Sequence, residues 1–331
     1  MRVIVVGAGL GGLTLAHGLQ QTGLEVTVYE RDGARGRPQG VSLHCDDRGI
    51  SALRACLPPA HLAMVEATMG GPREKTLVLD GDLAVVGVRP GSARPGRQVH
   101  RPLLRAVLQT GLDVHFGAAF TRYELRPDGG LRAWFADGGV ATGDVLVGAD
   151  GIGSAVRRQY LPHAEVVDSG RRMLMGATPL RAVPGLADLI GDDPASVQGE
   201  AMMAVGVLRF TEPPAAARDR WLPALPVEAV DQLEDYVMWA LPVGANPPFQ
   251  HVVDHAWPQH TATLRIATIP PVPAWAPSPV TLIGDAIHLA PGFGGNLAMR
   301  DACRLRDALV DANDGRRDLV EAIGDYESQV R

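Results

Sequence analysis

The opening of the chain leaves little freedom in how it can fold. Arg2-Val3-Ile4-Val5-Val6 is a β-branched run that leads directly into Gly7-Ala8-Gly9-Leu10-Gly11-Gly12. Leu13, Leu15, Ala16 and Leu19 then recur at helical spacing, Gly23 is placed to stop the helix, and Val26-Thr27-Val28-Tyr29 reads as a second strand ending at Glu30. A buried parallel strand, a glycine turn, a helix and a returning strand make a βαβ unit. In that setting G-x-G-x-x-G is a dinucleotide cradle. Gly7 permits the tight turn, Gly9 lets the backbone approach a pyrophosphate, and Gly12 allows close strand–helix packing, while helix N–H groups face the negative charge. Leu10 and Gly11 complete the loop, and Glu30, with Arg31 beside it, is placed to meet the adenosine ribose. Taken alone this motif serves NAD as readily as FAD.

Composition narrows the class. With 331 residues, 46% of them hydrophobic, the chain can form one large domain or two ordinary ones. Its net charge of -6 comes from mixed acidic and Arg residues and carries no basic footprint for nucleic acid. No stretch approaches the roughly 20 apolar residues of a membrane helix, and the N-terminus enters a strand pattern at once, so the expected location is the cytoplasm. Cys45, Cys56 and Cys303 lack C-x-x-C spacing, which argues against a disulfide framework or zinc site. Lys75 is the only lysine and lies in a polar stretch, which discounts Schiff-base chemistry.

Further along, 119–135 and 140–147 alternate strand-like runs with Asp128-Gly129-Gly130 and Asp137-Gly138-Gly139, both turn signals. A β-meander returning to the main sheet at Asp144–Gly148 is the expectation. Residues 166–267 hold short strand-like runs and many prolines without a clean helical repeat, which suggests an inserted, mostly antiparallel sheet. From Gly294 to Gln329 helical periodicity returns, with Leu297, Ala298, Ala302, Leu305, Leu309 and Val310 on one face.

Two more motifs sit at strand ends. One is Gly148-Ala149-Asp150-Gly151-Ile152-Gly153-Ser154-Ala155-Val156-Arg157 after Val145-Leu146-Val147, and the other is Thr281-Leu282-Ile283-Gly284-Asp285-Ala286-Ile287-His288. In this order the three motifs resemble those of the p-hydroxybenzoate-hydroxylase-like (class A) flavoprotein monooxygenases. The resemblance covers most of 1–165 and 268–331. It implies an α/β fold: a Rossmann-like FAD-binding domain with parallel sheet, helices and β-meander (1–75, 98–165 and 268–331), an inserted antiparallel substrate-binding domain (76–97 and 166–267), and a C-terminal helix.

The resemblance also implies residue roles. Asp285 binds a ribitol hydroxyl of non-covalent FAD, and Gly284 lets the cofactor approach. Asn296-Leu297-Ala298-Met299-Arg300-Asp301-Ala302 is similar to the family's helix start whose amides face the flavin pyrimidine edge. Gly294, Gly295 and Asn296 are cofactor candidates on that ground. The family loop before it reads Pro-x-x-Gly-x-Gly-x-Asn, but here Pro291 runs directly into Gly292-Phe293-Gly294-Gly295-Asn296, two residues fewer. His100-Arg101-Pro102-Leu103-Leu104 is similar to the family's Arg-x-x-Leu segment, which makes Arg101 an FAD contact. Arg37 and Gly40 fall where the family has a flavin-flanking loop. Asp150 belongs to the central motif and is also placed to cap the following helix.

In the resembling family NAD(P)H binds transiently and reduces the flavin, O2 adds at flavin C4a, and an oxygen atom passes to the substrate. The flavin carries the chemistry, so no protein catalytic residue is named, and none of the His, Ser or Cys residues forms a nucleophilic constellation. His288 reads as structural. His251 and His255 lack a third ligand, so no metal is expected. Tyr236-Val237-Met238-Trp239-Ala240-Leu241-Pro242 lacks the first tryptophan of the halogenase signature. Met173, Met175, Met202, Met203 and Met238 fit a core or an adaptable apolar pocket. The expected activity is oxidation of an apolar, aromatic or polyketide-like small molecule with O2. The alternatives are a reductase, oxidase or cyclisation flavoprotein on the same fold, a nicotinamide dehydrogenase using only the first motif, and a non-catalytic ligand-binding protein.

Overall fold

The computed structural model describes residues 1–91, 96–127, 129–289 and 294–331. In chain order the elements are β1 (Arg2–Val6), α1 (Leu10–Gln21), β2 (Glu25–Glu30), β3 (Ser42–Asp46), α2 (Asp47–Cys56), α3 (Pro59–Ala67), β4 (Lys75–Leu79), β5 (Val85–Pro90), β6 (Gly96–His100) and α4 (Arg101–Gln109). There follow β7 (Val114–Phe116), β8 (Phe120–Leu125), β9 (Leu131–Phe135), β10 (Val140–Gly143), β11 (Val145–Gly148), α5 (Ala155–Tyr160), β12 (Val167–Pro179), α6 (Pro184–Ile190), β13 (Pro194–Val197) and β14 (Met203–Leu208). The chain closes with α7 (Pro214–Trp221), β15 (Tyr236–Pro242), α8 (Gln250–Asp254), β16 (Ala262–Thr268), β17 (Val280–Leu282), α9 (Gly294–Asn313) and α10 (Leu319–Val330).

The expected α/β architecture forms around β1, the centre of a parallel sheet ordered β17-β11-β1-β2-β7. After the exposed Arg2, strand β1 is apolar from Val3 to Val6 because both its faces are covered. Val3 and Val5 enter a core with α1, α2, α4 and α9, whereas Ile4 and Val6 enter a second core with the β8–β9–β10 meander and α5. The meander closes through turns with Gly129 and Gly138 at positive φ. Asp128 of the first turn signal lies outside the described residues.

A larger sheet, ordered β16-β12-β15-β14-β13-β4-β5, is antiparallel except where β13 runs parallel to β4. One face carries Val205, Val207, Val237, Trp239 and Leu241 into a core with Leu186, Ile190 and Val252 of α6 and α8. The other presents Met175, Ala177, Leu208, Tyr236 and Met238 towards Val41, just before β3. A two-stranded ribbon, β3 against β6, stands between the two main sheets.

The tail holds two helices where periodicity suggested one continuous run. Gly315, with φ of 72°, breaks it after Asp314, and Asp318 starts α10 by accepting from the Val320 and Glu321 amides. Helix α10 then docks on the edge of the parallel sheet. Tyr326 donates to the Leu282 carbonyl at 2.9 Å, and Glu327 Oε1 accepts from Thr281 at 2.9 Å and Tyr160 at 3.2 Å.

Glu327 is 2% exposed, and burial pushes its carboxyl up to about 7, against the lowering effect of these donors. An acid whose folded pKa is raised contributes stability below its unfolded value, near 4.5, and loses it as pH rises towards 7. Glu327→Gln is therefore expected to melt several degrees above the unmodified protein at pH 8, about 2 kcal/mol. By pH 5 the difference should close. Thermal denaturation across that range checks it, and an equal advantage at both pH values would contradict the assignment.

Candidate functional site

Because β1, β11 and β17 are parallel neighbours, their three following turns emerge at one edge of the sheet. The turns touch. Gly7, at φ of 110°, comes so close to the central motif that a Cβ there would lie 2.3 Å from the Ala149 carbonyl oxygen. A Cβ on Gly12 would meet the Gly7 oxygen at 2.2 Å and Ala149 Cβ at 3.1 Å. Ala298 of α9 packs into the space left by two further glycines, 3.0 Å from a Cβ on Gly11 and 2.6 Å from one on Gly284. Gly9 differs from these. Nothing stands within 4 Å of its would-be Cβ, and its backbone is extended. The first motif therefore presents a bare backbone surface to open space at the start of α1.

Charged groups surround this opening. Glu30 Oε2 accepts from Ala8 N at 2.8 Å and Oε1 from Asp32 N at 2.9 Å, which fixes the carboxylate against the glycine turn. Arg105 donates to the Ala8 and Ala34 carbonyls from α4. Sequence reading passed over it, although it lies one helical turn from Arg101. Arg101 donates to Gln39 at 2.7 Å. Burial pushes its pKa down to about 10, opposed by Asp285 and reinforced by Arg105, so it stays a cation at neutral pH. The Asp285 carboxyl reaches open space but is crowded by protein. Desolvation raises its pKa, Arg101 and His288 oppose the rise, and Asp301 adds to it.

The second and third motifs are also bonded to each other. Arg157, 3% exposed, donates to the Ala286 carbonyl at 2.7 Å and to the Ile152 carbonyl at 2.8 Å. Asp150 Oδ2 accepts from the Ala155 and Val156 amides, as a helix-capping aspartate does, while Ser154 accepts from Arg157 N. Its Oδ1 is buried without a partner, and burial raises the carboxyl pKa. Asp301, fully buried on α9, accepts from Gly284 N at 3.1 Å, pairs with Arg300 at 3.0 Å and stands 2.8 Å from His288 Nε2. It orients the Gly284-Asp285 turn without reaching the opening itself.

The remaining candidates are placed differently. Asn296 is fully buried, its Oδ1 accepting from Asp46 N at 3.0 Å and its Nδ2 donating to the His44 carbonyl at 2.8 Å. Its side chain fastens β3 to the start of α9, so only its backbone amide is left for a ligand. Gly295 packs on Leu43 and Leu10, and a Cβ on Gly294 would lie 2.7 Å from Asp285 Oδ1. Arg37 pairs with Asp32 at 2.8 Å and is mostly exposed. Arg31 is exposed, with its guanidinium near Gly153. Gly40, at φ of 92°, approaches the Met175 sulfur of β12. The shortened loop at Pro291, Gly292 and Phe293 lies outside the described residues. A separate cleft of about 680 Å³, lined by Arg181, Arg209, Phe210 and Asp235 among others, shares no residue with the three motifs.

This donor set fits FAD: a bare glycine turn at a helix start, a carboxylate on β2, an unpartnered aspartate oxygen and a carboxylate facing an arginine. The NAD(P)-binding Rossmann-like domain profile matches residues 5–37. The FAD-dependent urate hydroxylase of Klebsiella pneumoniae is 30% identical over 99% of this chain and 85% of that protein. The chain belongs to the FAD-dependent monooxygenases. The solved structure of Klebsiella pneumoniae HpxO complexed with FAD and uric acid superposes with a TM-score of 0.74 at 25% identity, covering 99% of this chain and 84% of that one. Another relative is the dual O-methyltransferase/FAD-dependent monooxygenase elcB of Phaeosphaeria nodorum, 28% identical over 97% of this chain. The chain spans less than half of that relative's length, 42%. Among the described residues, no helix is long and apolar enough to cross a membrane.

Two glycine substitutions separate packing from binding. Gly12→Val should lower stability by about 3 kcal/mol or more through overpacking, seen as a lower Tm. Gly9→Ala should leave Tm of the flavin-free protein unchanged but reduce flavin retained on purification at least tenfold. Normal flavin content in Gly9→Ala would show that the open space at Gly9 is not cofactor space.

Proposed function

We propose that this chain is an NAD(P)H-dependent FAD monooxygenase that transfers one oxygen atom of O2 to a small molecule with an aromatic or polyketide-like apolar body. Such a substrate is at home in secondary metabolism. The observation that carries the reading is the convergence of three strand-end motifs on one opening, bonded through Arg157 and packed on Ala298. Bound FAD supplies the redox and oxygen-activating chemistry.

The chain's own residues hold and shape. Gly7, Gly9, Leu10, Gly11 and Gly12 cradle the pyrophosphate at the N-terminus of α1, and Glu30 with Arg31 meets the adenosine ribose. Asp150 and Asp285 accept from cofactor hydroxyls, Gly284 permits the approach, and Arg101 balances the negative charge. The amides at Gly294, Gly295 and Asn296 put the positive end of the 20-residue α9 beside the flavin ring, where they favour negative charge on it. Gly40 and Arg37 border the ring from the loop after β2. Residues 1–75, 98–165 and 268–331 form the flavin part, while 76–97 and 166–267 cover the substrate and exclude water. NAD(P)H acts as a transient reductant.

Anaerobic titration of the purified protein with NADH and NADPH is expected to bleach an oxidised-flavin band, and O2 with substrate to return oxygenated product with little free peroxide. Bleaching followed only by peroxide would leave an oxidase or reductase, and a flavin-free protein that cannot be reconstituted would end the reading. Asp285→Asn should weaken FAD binding about 10- to 100-fold, the loss of a charge-assisted hydrogen bond, measured by fluorescence titration of the apoprotein.

A further inference from the structure

Strand alternation gives the β3–β6 ribbon two unlike faces. Leu43 and Cys45 of β3 and Val99 of β6 enter the core with α1 and α9. The other face carries Ser42 opposite His100 and His44 opposite Gln98, a continuous polar surface. It looks towards the inner face of the seven-stranded sheet. Tyr236 of β15 and Ser42 share a hydrogen bond at 2.8 Å, and the His100 and Tyr236 rings meet edge to face at 5.7 Å. Arg73 enters the same space just ahead of β4, with Nη2 2.8 Å from a would-be Cβ on Gly206 of β14. A cleft of about 250 Å³ opens beside Arg73 and His44 and has Lys75 on its rim.

Polar atoms on these side chains are buried without partners: Arg73 Nε and Nη2, Gln98 Nε2 and Oε1, and His100 Nε2. Gln98 and His100 are each 2% exposed. Buried polar groups are normally paired, and here several unpaired ones from Arg73, Gln98 and His100 are gathered between the ribbon and the sheet. Their chemistry defines the ligand. Leu103 N donates to His100 Nδ1 at 3.2 Å, so the proton of the neutral ring sits on Nε2, which is a donor. Burial keeps that ring neutral by pushing its pKa down to about 3. Burial brings Arg73 down to about 10, which leaves it a cation. Neighbouring carboxylates are otherwise engaged, Asp192 with Arg209 at 3.0 Å and Asp193 Oδ1 with the Glu74 and Lys75 amides. Met175, Leu208, Tyr236 and Met238 supply an apolar wall opposite.

We infer that this space is the substrate's head-group site, which takes a planar anionic group, a carboxylate or ring enolate, on Arg73, with Gln98 reading an adjacent donor–acceptor edge and His100 Nε2–H donating to a second oxygen. The inference rests on the monooxygenase reading and adds an anionic head to the apolar body proposed above. Asn296 ties β3 to the start of α9, so the polar face is held next to the proposed flavin edge. The Tyr236–Ser42 bond closes the far end. The residues named here select and orient the substrate.

The test uses the flavin-loaded protein and follows the flavin spectrum during titration with benzoate, 2-naphthoate and urate, the two carboxylates each compared with the neutral amide, benzamide or 2-naphthamide. At least one anion is expected to perturb the flavin and the acid to bind at least tenfold tighter than its amide. Arg73→Met and Gln98→Leu should each weaken anion binding at least tenfold, with FAD content kept and Tm unchanged or raised, because an idle buried polar group costs the fold stability. Equal binding of acids and amides, no perturbation by any anion, or a fall in Tm with affinity retained would overturn the proposal. Loss of flavin, or failure of NAD(P)H to bleach it, would instead count against the underlying reading.

Discussion

Backbone contact without an intervening side chain, between the first glycine turn and the end of β11, is the constraint on which the rest of the structure depends. Gly7 and Gly12 let β1, α1 and the Ala149-Asp150 turn come together at distances that any Cβ would prevent. Once they have closed, the parallel order of β17, β11 and β1 sends every following turn to the same edge. Helix α9 can then lie across that edge only because Gly11 and Gly284 leave room for Ala298. The opening at this edge is thus a product of packing before it is a set of side chains.

A second layer of order comes from buried polar side chains that join segments far apart in the chain. Asn296 links α9 to β3, Asp301 links α9 to the Gly284 turn, Arg157 links α5 to Ala286, and Glu327 links α10 to β17 and α5. Each of these groups makes two or more hydrogen bonds or ion pairs, which offset much of the cost of its burial. Arg73, Gln98 and His100 are buried to a similar end of the scale without that compensation. The contrast separates polar groups that build the site from polar groups kept ready for something else. It also explains how the inner face of a largely apolar sheet can border a chamber of mixed character, since the ribbon opposite supplies the polar half.

Much of the nucleotide-binding half was legible from residue order. A β-branched run into glycines, a helix stopped at Gly23 and a strand ending at Glu30 are local patterns, and the structure forms them with Gly7 at positive φ and Glu30 bound to Ala8 N. The meander was legible because its turns depend on glycines at adjacent positions. The tail was read as one helical run because periodicity continues on both sides of Gly315, and the break became visible only with the Asp318 cap. Arg105 and Asp301 were missed as supporting residues, although each sits one helical turn or less from a motif residue that was noticed. Asn296 was named as a cofactor contact, and its side chain is taken up by β3.

By itself the sequence determined the βαβ opening and the order of the three motifs, because those depend on backbone freedom and on contacts made within a few residues, and the resemblance carried by that order supplied the class of cofactor. Only the tertiary structure decided which side chains share a space. The pairing of β3 with β6 puts His44 opposite Gln98, the inner face of β14 and β15 brings Gly206 and Tyr236 to meet them, and Arg73 arrives from a third segment. No periodicity records such a meeting. It arises from sheet register and from packing between residues as far apart in the chain as Ser42 and Tyr236, and those are properties of the folded chain alone.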